Sequence, residues 1–435
     1  MKMQTVNSSK RSGRSRALAL LLALGLLSSL FAFADKKKEE QPKKVVSILD
    51  LIDKAKIVWP QPPNIARVKY LDYFAGEKLP DFNAQPVKQK SSWMDRLAGT
   101  SADKGQGNPL GNHFFFGEPH GLAVDSKGNL YVADGKVGAV FIINPETKET
   151  TMIKNGKDAG FVLINGLAID DSDRLFVSDS QAHRVLVFNK DHKGEAAITT
   201  GLATPAGMAI DNENRLLYVA DLGLDQVLVF DADTLEKIRA IGTPDTKHQS
   251  NALGDFSKPS SVAVDKDGNV YVTDMLNYRI EIFDADGKFI RAFGKHGDGP
   301  GYFAMPKGVA VDADGHIWIT DTMQNRVHLF TQEGDLLMYM GSQQGALPGT
   351  FSGLQNIYID NQRNLAFTSE VYPGRVQMFR YVTQDEAQAE YKKREEAKAA
   401  GKPLPKPEKA IPPAFPTQQK PDQKSEQKPD SAKAN

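Results

Sequence analysis

At 435 residues, 40% hydrophobic and 25% charged, the chain has ordinary globular composition, which excludes a wholly disordered or fibrous protein. Its 54 Lys and Arg balance 54 Asp and Glu, and zero net charge argues against a protein that works by neutralising nucleic acid. The absence of cysteine removes disulfides, thiolate zinc sites, covalent haem attachment, thiol nucleophiles and a lipoprotein anchor.

In chain order, Lys10, Arg11, Arg14 and Arg16 precede an apolar run from Ala17 to Ala34. The run ends Ala32-Phe33-Ala34, just before Asp35-Lys36-Lys37-Lys38. A basic start, an apolar stretch and small residues at the exit read as a secretory signal, residues 1–34, cleaved after Ala34. Left uncleaved, about eighteen apolar residues would just reach across a bilayer. Cleavage makes the mature protein extracytoplasmic, periplasmic or secreted, and not integral to the membrane. Residues 35–63 read as a linker. Arg67 to Gly76 has the look of an outer strand with no neighbour, and residues 78 to 112 form a long irregular connection.

From there the chain repeats. Pro119-His120-Gly121-Leu122-Ala123-Val124-Asp125 recurs around Gly166, Gly207, Ser261 and Gly308, and in degraded form as Gln355-Asn356-Ile357-Tyr358-Ile359-Asp360. A second apolar run follows each copy and ends in an acid: Asp134, Asp179, Asp221, Asp274, Asp321 and Glu370. The gaps between these acids are 45, 42, 53, 47 and 49 residues, so six units share one length. Within a unit the period is two, with Val, Ile, Tyr and Phe prominent, which predicts strands. Gly128, Gly268 and Gly315 stand in the first hairpin turn, where a positive φ is needed. A third strand begins at Arg184, Arg279, Arg326 or Arg375, and Lys288 to Gly294 suggests a fourth.

Four antiparallel strands repeated six times predict an all-β, six-bladed β-propeller, because radial closure leaves only short protected edges. After Phe379 the chain turns into a charged, helix-prone extension over 381–400, so the sixth blade lacks its own outer strand. The early Tyr70 to Phe74 stretch is expected to complete it. Residues 401–435 are rich in Pro, Lys and Gln and read as a disordered tail.

Gly-x-Ala-Val-Asp, then Tyr-Val-x-Asp, then Arg-Val/Ile-x-x-Phe, resembles the NHL repeat of six-bladed β-propellers, over roughly residues 64 to 380. Phe293 to Gly308 looks especially like an NHL blade-to-blade connection. The resemblance implies a fold more than an activity, since relatives include amidating lyases, lactonase-like hydrolases, sensor domains and RNA- or protein-binding modules. It also implies that the residue before each first-strand glycine lies at the channel mouth: His120, Asn165, Ala206, Ser260, Lys307 and Gln355. The amidating lyases place zinc on histidines that include this Pro-His position, and lactonase-like relatives hold a divalent cation with Glu, Asn and Asp. Only His120 and Asn165 match, and zinc needs about three protein ligands. His113, the nearest histidine in the first loop, does not complete a triad.

The second-strand acids stand five residues before a cation in four units: Asp179 and Arg184, Asp274 and Arg279, Asp321 and Arg326, Glu370 and Arg375. Repetition in most blades points to a structural pair at each hairpin, not to catalysis. The loops after these acids place His183, Leu222, Met275, Asn277, Tyr278, Met323 and Tyr372 on one adaptable, partly apolar face. The expected protein is therefore an exported, monomeric, noncatalytic binding or scaffold module without cofactor. It would engage a protein or peptide partner, and no nucleic acid. The alternative is a zinc- or calcium-dependent lyase or lactonase-like hydrolase, with its metal near His120 and Asn165.

Overall fold

The computed structural model describes residues 52–75, 115–154, 159–245, 247–341 and 344–403. The signal segment, His113, the connection 78–112 and the tail beyond residue 403 lie outside the described residues. Two short strands come first, β1 (Val58–Trp59) and β2 (Val68–Phe74). Blade 1 is β3 to β6 (Pro119–Val124, Leu130–Asp134, Ala139–Ile143, Thr150–Lys154), and blade 2 is β7 to β10 (Ile164–Ile169, Leu175–Asp179, Arg184–Phe188, Gly194–Ile198). Blade 3 is β11 to β14 (Pro205–Asp211, Leu216–Asp221, Gln226–Asp231, Lys237–Ile241), and blade 4 is β15 to β18 (Pro259–Val264, Val270–Asp274, Arg279–Phe283, Phe289–Phe293). Blade 5 is β19 to β22 (Pro306–Val311, Ile317–Asp321, Arg326–Phe330, Leu336–Met340). Blade 6 supplies only β23 (Leu354–Asp360), β24 (Leu365–Glu370) and β25 (Arg375–Tyr381) from its own stretch of chain.

Each sheet is an antiparallel meander, and the first strand of each blade meets those of both neighbouring blades, β23 meeting β3 to close the ring. The missing outer strand of blade 6 is β2, paired antiparallel with β25 from Val68 opposite Tyr381 to Phe74 opposite Val376. β1 adds a fifth strand outside it, with Trp59 opposite Val68. Part of the stretch read as a linker thus carries structure: Val58 is buried, and Ile57 and Trp59 pack on the layer between blades 5 and 6.

The second strand of each blade is buried on both faces, which is why its sequence is a nearly continuous apolar run rather than a clean alternation. The core is correspondingly a set of six layers, one between each pair of sheets. Between blades 6 and 1, Phe74, Phe367, Val376 and Met378 meet Leu122, Leu130, Val132 and Phe141, so the closing layer is as apolar as the rest. Helix α1 (Gln384–Ala399) follows blade 6, started by Thr383 and Glu386 in a reciprocal capping box. Arg394 donates to the Pro63 carbonyl at 2.9 Å, which ties the helix to the N-terminal segment.

Candidate functional site

The recurring first-strand glycine marks the waist of the central channel. A Cβ on Gly166 would stand 2.1 Å from the Ala206 carbonyl oxygen, on Gly121 2.4 Å from that of Asn165, and on Gly308 2.5 Å from the Asn356 side chain. Neighbouring innermost strands converge there so closely that only hydrogen fits. Ser261 and Asn356 take the equivalent places in blades 4 and 6 and border the space on both sides of the waist. On one side lies a cavity of about 240 Å³ walled by strand residues such as Leu167, Met208, Val262 and Ile357. On the other lies a mouth pocket of about 160 Å³.

All six positions expected at the mouth line that pocket: His120, Asn165, Ala206, Ser260, Lys307 and Gln355. Leu222 and Met275, expected on the partner face, form part of its wall. Lys307 Nζ donates to Gln355 Oε1 at 2.6 Å, and Gln355 Nε2 donates to the Gly353 carbonyl at 3.0 Å. Four mouth carbonyls are occupied by hydroxyls of the preceding blade. Ser369 donates to His120 O at 2.7 Å, Ser178 to Ala206 O at 2.7 Å, Ser260 to Lys307 O at 2.7 Å and Thr320 to Gln355 O at 3.1 Å. Of these blade-to-blade hydroxyls only Ser260 was singled out from the sequence. For Ser369, Ser178 and Thr320 the signal is the Ser or Thr just before the second-strand acid, replaced by Ala133 and Ala220 in blades 1 and 3; in blade 4 the first-strand Ser260 makes the bond instead.

Burial holds Lys307 below the ordinary lysine value. His120 is also held low, first by burial and then by the Lys307 charge, so its imidazole is neutral near pH 7. Neutral His120 and Asn165 could each offer a lone pair, but two such ligands fall short of the three or so that a catalytic zinc needs, and the Lys307 ammonium in the same lining repels a divalent cation. Among the described residues, no cluster of three or more His, Cys, Asp or Glu is placed to hold a metal.

The second-strand acids are fully buried. Each gathers backbone N–H groups of the incoming connection: Asp134 takes those of Gly117 and Glu118, Asp221 those of Ala203 and Thr204, and Asp321 those of Ala304 and Met305. The cation five residues on pairs with the acid in three blades, Arg184 with Asp179 at 3.2 Å, Arg279 with Asp274 at 2.8 Å and Arg375 with Glu370 at 3.0 Å. In the fourth, Arg326 lies over the Tyr339 ring, 4.7 Å from its centroid.

The expected partner-face residues separate. Met323 and Tyr372 are about two-thirds exposed, at 66% and 67%, and His183 is exposed with its ring bonded to the Ala203 carbonyl. Asn277 is turned inward, donating to Asp274 and to the Ser250 carbonyl. Tyr278 is a left-handed cap whose ring lies 4.4 Å from that of His296. Other apolar side chains join the exposed set on the same end of the ring: Val137 and Leu276 from second-to-third hairpins, and Phe115, Val162, Leu163, Leu253 and Leu347 from blade-to-blade connections. The first-to-second and third-to-fourth turns of the opposite end carry no large exposed apolar side chain among the described residues, while Ile238, Ile290, Leu337 and Tyr339 are exposed along outer strands.

The NHL repeat family matches residues 116–143, and a family described as a 6-bladed beta-propeller matches residues 254–334. A probable peptidyl-alpha-hydroxyglycine alpha-amidating lyase of Caenorhabditis elegans is 38% identical over 87 residues, which is 20% of this chain and 24% of that protein. Human NHL repeat-containing protein 2 is 29% identical over 97 residues, 21% of this chain and 13% of that protein. The chain thus spans about a quarter or less of the length of these relatives. Virginiamycin B lyase from Staphylococcus aureus superposes with a TM-score of 0.46 at 14% identity, over 61% of this chain and 96% of that one. With its six sheets and these matches, the chain is a six-bladed β-propeller that carries an NHL-type repeat.

Proposed function

We propose that the propeller is an exported, noncatalytic binding module that takes a protein or peptide partner on the end of the ring carrying the channel mouth. One observation supports this above others. Among the described residues, nine large apolar side chains are exposed on the hairpins and connections of that end, four are exposed along outer strands, and the turns of the opposite end expose none. Scattered exposed apolar groups are normal, but segregation to one end around a polar pocket is the pattern of an interaction surface. The metal-enzyme reading is disfavoured by chemistry: the Lys307 ammonium shares the pocket lining with His120 and Asn165 and would repel a cation bound there.

Photo-crosslinking in the extracytoplasmic fraction tests the proposal. A crosslinker at Met323 or Leu253 should capture a discrete partner, and one at Asp286 or Glu213 on the opposite end should not. Met323→Asp with Leu253→Asp should weaken capture by about tenfold or more, as for loss of two interface anchors. Equal capture from both ends would sink the proposal.

A further inference from the structure

We infer that the mouth pocket is a carboxylate-binding site, its ligand an acidic group carried on an apolar-flanked segment of the partner. This rests on the binding-module reading and adds what the partner must present. The pocket lining holds one cation, Lys307, and no Asp or Glu. An ammonium has three N–H donors. Gln355 accepts one at 2.6 Å, and no carboxylate ion-pairs with Lys307 among the described residues.

The rest of the lining leans the same way. Hydroxyls of neighbouring blades each take one lone pair of the carbonyls of His120, Ala206, Lys307 and Gln355, which weakens the negative potential usual at a channel mouth. The Asn165 amide and the neutral His120 ring remain as further donors on the wall. A half-buried ammonium without a counter-ion is destabilised by desolvation, in keeping with its lowered proton affinity, and an entering anion relieves that cost. One formal charge matches a carboxylate better than a phosphate dianion, which calls for several cations. At about 160 Å³ the pocket admits a carboxylate on a short stem, and Leu222 and Met275 offer that stem an apolar wall.

The test is titration of the full chain with hexanoate, hexanamide, acetate and inorganic phosphate at fixed ionic strength. It is followed by calorimetry and by the ε-methylene resonance of Lys307. Hexanoate should saturate, shift that resonance and bind at least about tenfold tighter than hexanamide, the usual margin for a hydrogen-bonded charge. Lys307→Met should lose that margin, and Lys307→Arg should keep most of it with melting unchanged. If Lys307→Met does not fold, the Lys307 resonance of the native chain decides alone. Equal binding of hexanoate and hexanamide, an unmoved Lys307 resonance, or phosphate binding tighter than acetate each overturns the inference. Hexanoate saturating a chain that captures no partner through Met323 would sink the binding-module reading and leave the site standing. Capture without hexanoate binding would do the reverse.

Discussion

At one position of the third strand the six blades disagree. Phe141, Leu186 and Leu228 hold it in the first three, and Glu281, His328 and Gln377, all buried, hold it in the last three. Glu281 pairs with Arg279 at 2.7 Å, and Gln377 donates to Glu370 and to the Thr350 carbonyl. Among the described residues, His328 has no hydrogen-bond partner for either ring nitrogen, and it sits among Phe303, Phe330 and Tyr339. Burial pushes its pKa down to about 4. The unfolded imidazole titrates near 6.5, so it binds protons more readily than the folded one. The stability contribution is therefore intact above pH 6.5 and lost as pH falls toward 4. His328→Leu should make the protein more stable than wild type at pH 5 by on the order of 2 kcal/mol, with a smaller gain at pH 7.5. Denaturant midpoints at the two pH values check this, and parallel pH slopes for the two proteins would refute it.

Single elements show why the repeat is what it is. The first hairpin reads easily because its aspartate caps its own turn: Asp125 accepts from the backbone of Lys127 and Asn129, Asp265 from that of Asp267 and Asn269. The second-strand acid reads less easily. Its amide partners come from irregular connections 16 to 18 residues upstream, as for Leu163 to Asp179 and Ala203 to Asp221, and no local pattern announces them. Sequence separation likewise hides Asn277 and Tyr278, whose loop looks free in sequence but is consumed by Ser250 and His296. The waist glycine is legible as a repeat, but its reason, contact with the next blade, appears only in three dimensions. Gly166→Ala should cost about 2–3 kcal/mol or more, since its Cβ would meet backbone that cannot retreat without opening the ring. Gly194→Ala, with nothing nearer than 4.0 Å and an ordinary φ, should stay within about 0.5 kcal/mol of wild type. Equal melting of the two variants would remove the waist argument.

For the whole molecule, the deciding contact joins the two ends of the described ring. Strand β2 was legible because an orphan alternating stretch upstream matched a missing strand downstream; β1 was not, since two residues carry no period. β2 buries Val68, Tyr70 and Phe74, and the Tyr70 ring stands edge-on to Phe379 at 5.6 Å. Burial of three such side chains contributes roughly 5–8 kcal/mol. Without β2 the hydrogen-bonding edge of β25 lies bare, a template for pairing with another chain. A chain beginning at residue 112 should melt lower by about 10 °C or more and associate in light scattering. A synthetic peptide of residues 64–76 should reverse both effects, since it supplies the strand without altering any other layer. Reversal by a scrambled peptide would point to general masking of apolar surface. A truncated chain that stays monomeric and melts unchanged would mean that the other five interblade layers hold the wheel shut, and β2 would be a passenger on it.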